Sequence, residues 1–182
     1  MIAEELNQVF TRRRLLAGAL GVGSVLVLGG SFRHWLRRPA PDVAGLQVLS
    51  PAAYRTMVAV AHALFPRGGA FEHGADDNDI ARVFDQFLAN EPIWNQRDLL
   101  RALTLVELGP LLFERRPIPF HRLPRTEATH HLESWMTSHL LIQRQVITAL
   151  RKFCSIVFYD DPSVWPVIGY DGAAARRWGT QP

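Results

Sequence analysis

The chain has 182 residues, 48% of them hydrophobic, a single cysteine and a formal charge of +3, which is the length of one domain with enough apolar material for a core. The charge is uneven: residues 1–40 hold six arginines against two glutamates, whereas the remainder sets 14 bases against 15 acids. A near-neutral body excludes a nucleic-acid-binding domain, which needs basic surface on the fold itself, and the lone Cys154 excludes an internal disulfide and a cysteine-built zinc or iron–sulfur site.

Residues 1–38 read as a leader. The run 15–32 is uncharged and carries Gly18, Gly21, Gly23, Gly29 and Gly30. As a helix it would measure about 27 Å, near the lower limit for a bilayer crossing, and the glycines lower both its helicity and its hydrophobicity. Basic residues stand before it (Arg12, Arg13, Arg14) and after it (Arg33, Arg37, Arg38). Thr11-Arg12-Arg13-Arg14-Leu15-Leu16 resembles the twin-arginine export motif. Arg12 and Arg13 fall on the arginine pair, and Leu15 and Leu16 on the two apolar positions. A guanidinium pair offers fixed, always-charged donors to an acidic receptor groove. The resemblance implies export of an already folded cargo. A plain membrane anchor with basic flanks is the alternative, and no clean small-residue cleavage site follows the run. Residues 39–49, with Pro39 and Pro41, read as a linker.

Residues 50–182 are expected to form an all-α domain, a compact bundle of four to five helices with an irregular aromatic C-terminal tail. Ser50-Pro51 is a helix start, a serine cap followed by proline in the first turn. Tyr54, Val58, Ala61, His62 and Phe65 share one helical face, and Pro66 with Gly68 ends it. The acids Asp76, Asp77 and Asp79 are expected at the start of a second helix, from about Asn78 to Ala89. A third is expected over Ile93 to Glu114, kinked or shortened by Pro110. Residues 115–124 are extended, with Arg115 and Arg116 read as a solvated charge pair. Helices over about 125–138 and 140–159 follow, stopped by Asp161-Pro162. No strand pattern and no repeat stands out.

Nucleotide-binding glycine loops, a nucleophile elbow and a His-Glu-x-x-His zinc motif are all missing from the sequence. His130 and His131 are adjacent, so on a helix they diverge by about 100° and do not share a metal easily. Glu127 and His131 are spaced for a surface pair. His62, on an apolar helix face, reads as a hydrogen-bonded core or interface residue. Cys154, beside Phe153, Ile156 and Val157, reads as a buried thiol. In the tail, Trp165, Ile168 and Tyr170 stand among prolines and glycines. Such aromatics either cover their own core or dock on another protein, as amphipathic anchors.

Taken together, several runs resemble the small subunit (subunit 3) family of gluconate 2-dehydrogenase. They are Leu49-Ser50-Pro51 with Tyr54, Leu64-Phe65-Pro66, Leu123-Pro124, and Ala149-Leu150-Arg151-Lys152 leading to Phe158-Tyr159-Asp160-Asp161-Pro162. Trp165 and Ile168-Gly169-Tyr170-Asp171-Gly172 complete the pattern, with Ala173 where proline is frequent. The resemblance implies a non-catalytic accessory subunit that binds no cofactor alone. FAD would sit in a large flavoprotein dehydrogenase subunit, and haem c in a multihaem cytochrome subunit where one is present. The chain would carry the flavoprotein to the periplasmic side through the twin-arginine translocase, stay membrane-associated, and help the large subunit mature. Trp165, Tyr170 and Asp171 are then the expected partner-binding residues. A stand-alone helical binding protein in the periplasm, without a flavoprotein, is the second reading.

Overall fold

The computed structural model describes residues 43–68 and 71–170. The described residues form five α-helices and one short 3₁₀ helix, with no strand among them: an all-α bundle. Helix α1 spans Pro51–Leu64, α2 Ile80–Ala89, α3 Ile93–Glu114, α4 Arg125–Met136 and α5 Leu141–Tyr159; the 3₁₀ turn is Phe120–Arg122.

Local chemistry sets most of these limits. Ser50 Oγ accepts the Ala53 amide at 3.2 Å, and Pro51 occupies the first turn, where its missing N–H costs nothing. Asp79 caps α2 by accepting the Arg82 amide; it does so from the left-handed region (φ 39°), so the helix starts two residues later than Asn78. Pro110 does not end α3. The helix continues to Glu114 and closes at Arg115 in a left-handed conformation (φ 56°), with the Arg115 and Arg116 amides both donating to the Pro110 carbonyl. These two donors use a carbonyl that the helix end would otherwise leave bare.

Helix α1 runs through the middle and packs against α2, α3, α4 and α5. The stripe it buries is Thr56, Met57, Val60, Ala61 and Ala63; of the expected face of Tyr54, Val58, Ala61, His62 and Phe65, Ala61 is buried and the other four are half-buried. The reason is geometric: Tyr54, Val58 and His62 face a cavity under the 75–81 segment, and Met57 and Val60 face the centre. Around them lie Leu88, Leu103, Val106, Phe120, Leu132, Leu150 and Cys154, all nearly free of solvent. Each large apolar chain so buried contributes about 1.5–3 kcal/mol. Phe84 and Phe153 meet edge to face at 4.8 Å and tie α2 to α5.

Asp85, on the buried face of α2, accepts three main-chain amides: Gln47 at 2.7 Å, Val48 at 2.9 Å and Leu49 at 2.7 Å. Burial alone would raise its pKa, but the three donors outweigh it and the net shift is downward. The last residues of the expected linker are therefore bonded to the bundle. Among the described residues no helix is long and apolar enough to cross a membrane.

Candidate partner-docking surface

The tail is built on the last turn of α5. Phe158 points inward and stacks on Phe65 at 4.4 Å, while Phe71 meets Phe158 edge-on at 5.3 Å. The next residue, Tyr159, is on the outer side of the same cluster, 6.0 Å from Phe65 and 6.1 Å from Phe71. After the helix ends, Asp161 Oδ1 accepts the Ser163 amide at 2.8 Å. That amide, together with the Ser163 hydroxyl, lowers the Asp161 pKa against a small opposing effect of burial. The turn steers Val164 back into the core, where it is almost fully buried.

From there the chain makes a series of tight turns. Val164 donates to Asp161, Val167 to Val164, Gly169 to Pro166, and Tyr170 to the Trp165 carbonyl at 2.9 Å. Gly169 takes a positive φ of 68°, which a side chain would resist. Trp165 is half-buried; its indole N–H donates to the Tyr159 carbonyl at 2.9 Å, and its ring meets Tyr170 edge-on at 5.2 Å. The result is a hooked segment with Val164 and Trp165 turned in. Val167 (59%), Ile168 (47%), Tyr170 (42%) and Tyr159 (40%) are turned out. Four large apolar side chains exposed within twelve residues are the kind of feature that marks contact surfaces rather than scattered surface residues.

Of the expected partner-binding residues, Trp165 and Tyr170 are brought together in one contact. Asp171 lies outside the described residues, as do the leader positions Arg12, Arg13, Leu15 and Leu16. Tyr159 and Val167, which were not singled out as contact residues in the sequence, join this exposed face; for Val167 the available signal was its place between Pro166 and Gly169.

The histidine and acid readings are revised in part. His131 is not a surface partner of Glu127; it is buried, its Nδ1 pairs with Glu114 of α3, and Glu127 pairs instead with Arg116. Arg116 is thus a bonded residue and not a free loop charge. The acids before α2 divide their roles. Asp79 caps the helix, Asp77 accepts the Gly74 amide at 2.8 Å and pairs with Arg67, and Asp76 pairs with His62. Cys154 is fully buried, and burial pushes its thiol up to about 12.

Two further polar groupings escaped the sequence reading. Glu107 of α3 accepts from Thr56 Oγ1 at 3.0 Å and pairs with His121 Nδ1 at 2.5 Å. The carboxylate stands at the centre and the imidazole does not touch the hydroxyl, so the order is wrong for a nucleophile–base–acid relay. The cavity, of about 250 Å³, is lined by Tyr54, Val58, His62, Asp76, Asp79 and Ile80. Its polar groups satisfy one another: His62 with Asp76, and Tyr54 Oη donating to Asp79 at 2.8 Å. No group of three or more His, Cys, Asp or Glu among the described residues is arranged to hold a metal ion.

Comparison of the chain with protein-family models, with curated proteins and with solved structures gave no match.

Proposed function

We propose that this protein is a non-catalytic small subunit that binds and escorts a larger redox partner. The observation that carries the reading is the outward apolar face of the hook, Tyr159, Val167, Ile168 and Tyr170, held on a scaffold of turns. A surface of this kind is stabilised when another protein covers it, and Tyr and Trp are favoured anchors at such contacts.

The partner class comes from the sequence resemblance. It is an FAD-dependent sugar or alcohol dehydrogenase subunit of the gluconate 2-dehydrogenase type, with a multihaem cytochrome c subunit as a further member in some complexes. FAD and haem belong to those partners, and this chain alone binds neither. The leader with Arg12 and Arg13 supports carriage of the folded pair through the twin-arginine translocase to the periplasmic side of the membrane.

Co-expression with a flavoprotein large subunit encoded beside this chain tests the proposal. The two are expected to purify together and to reach the periplasm together. Arg12→Lys with Arg13→Lys is expected to leave both in the cytoplasm. Normal export of the flavoprotein beside that variant would overturn the escort role.

A further inference from the structure

Among the described residues, His131 is the one buried histidine whose ring has a polar atom left over. Its Nδ1 pairs with the Glu114 carboxylate, so the neutral ring carries its proton on Nδ1 and a bare lone pair on Nε2. Nε2 has no hydrogen-bond partner among the described residues and is shut off from solvent. It faces the backbone of α3 at Gly109: a Cβ built there would lie 2.6 Å from Nε2, 2.9 Å from Cε1 of the same ring and 2.8 Å from Cζ2 of Trp135. The glycine is what lets the imidazole seat against the helix. Phe120 and Trp135 wall the ring at 5.5 and 5.1 Å.

This seat accepts one protonation state. A neutral ring leaves only a lone pair in apolar surroundings. A second proton, taken from water onto Nε2, would put a charged N–H against Gly109, where no acceptor waits. Glu114 would still face the charge through Nδ1, but the new N–H would be a buried donor without an acceptor, which is costly. We propose that His131 is an acid-sensitive latch between α3 and α4: neutral, it holds the Gly109–Glu114 end of α3 against α4, and protonated, it lets the two helices part.

The charged groups around the ring come from three places. Glu114 on α3 favours the protonated form. Arg116, in the segment after α3, and His130, next to it on α4, oppose that form. Arg116 is itself drawn toward Glu127 of α4 and stands 3.9 Å from Glu114, so the Glu114 carboxylate is shared. Burial is the largest influence, and the net effect is to lower the His131 pKa. A lowered histidine value means the unfolded or opened form binds the proton more readily. The latch is therefore complete above the ordinary histidine pKa of about 6.5 and weakens as pH falls below it, until the lowered native value is reached.

The experiment follows the full chain labelled with ¹³C at its histidines from about pH 8 to about pH 5, together with amide exchange across residues 128–135. His131 is expected to keep its neutral Nδ1–H tautomer below about pH 6.5. The opening equilibrium of α4 should rise by up to about tenfold per pH unit. His131→Gln removes the titration while keeping a donor for Glu114, and is expected to abolish that rise. Protonation of His131 with α4 amides protected as they are at high pH would overturn the proposal, as would an unchanged rise in the Gln variant. If the variant does not fold, the wild-type titration decides alone.

Discussion

Trp165 donates its indole N–H to the main-chain carbonyl of Tyr159, 2.9 Å away, across the end of α5. The bond fastens the first residue of the outward hook to the last residue of the helix. It also satisfies one of the carbonyls that a helix C-terminus leaves open. The hook's exposed face is thus carried by the helix and not by a free chain end.

This division of labour separates two substitutions. Trp165→Ala removes the bond and the Tyr170 contact and is expected to loosen the whole hook. Tyr170→Ala trims the outer face and the ring contact with Trp165 but keeps the indole bond to the Tyr159 carbonyl. If the face docks on a flavoprotein subunit, each should weaken the complex by on the order of 2 kcal/mol. Calorimetric titration of the folded variants against the partner checks this, and the fold should be perturbed more by the first, which alone breaks the bond to Tyr159.

Asp85 supplies a pH prediction. Its native pKa is lowered, so its contribution to stability is complete above the ordinary carboxylate range. That contribution is lost below about pH 4, as protonation proceeds toward the lowered native value. Asp85→Asn places an amide group where three N–H donors converge and is expected to cost on the order of 3 kcal/mol at neutral pH. Urea unfolding at neutral and acid pH measures both, with the variant losing less on acidification than the wild type.

Gly109→Ala should destabilise the bundle by about 1–3 kcal/mol, because the new methyl group collides with His131 and Trp135 in a packed seam. Thermal unfolding tests the size. Pairing the change with His131→Ala should recover part of the loss, because the collision with the imidazole is then removed.

Cys154 is expected to resist thiol reagents in the folded protein, since it is buried and its pKa lies near 12. Labelling should appear only on unfolding, so the labelling rate reports opening of the α5 core.

The helices were legible because their signals are local. Ser50-Pro51 announces α1 within four residues, and α3 runs from Ile93 to Glu114 as its apolar pattern requires. What stayed hidden depends on contacts far apart in the chain. Asp85 meets Leu49 across 36 positions and His131 meets Glu114 across 17, and periodicity names a face without naming its neighbour. The same limit misjudged part of α1, which carries apolar residues on more than one face: Ala61 is buried as expected, but Met57 and Val60 are buried where Tyr54 and Val58 were expected. Only the placement of the 75–81 segment decides which face is covered. Trp165 and Tyr170 could each face in or out by composition; the Asp161 turn and Gly169 decide that the tryptophan sits half-buried and the tyrosine stands exposed.

The three amides held by Asp85 also have a mechanical meaning. Any tug on the polypeptide ahead of Ala44 reaches the bundle largely through α2, where Arg82 holds the Ala44 carbonyl and the three bonds of Asp85 behind it are loaded together. A motor hauling the chain by its front end would strain α2 first and leave the hook, at the opposite end of the sequence, under no direct tension.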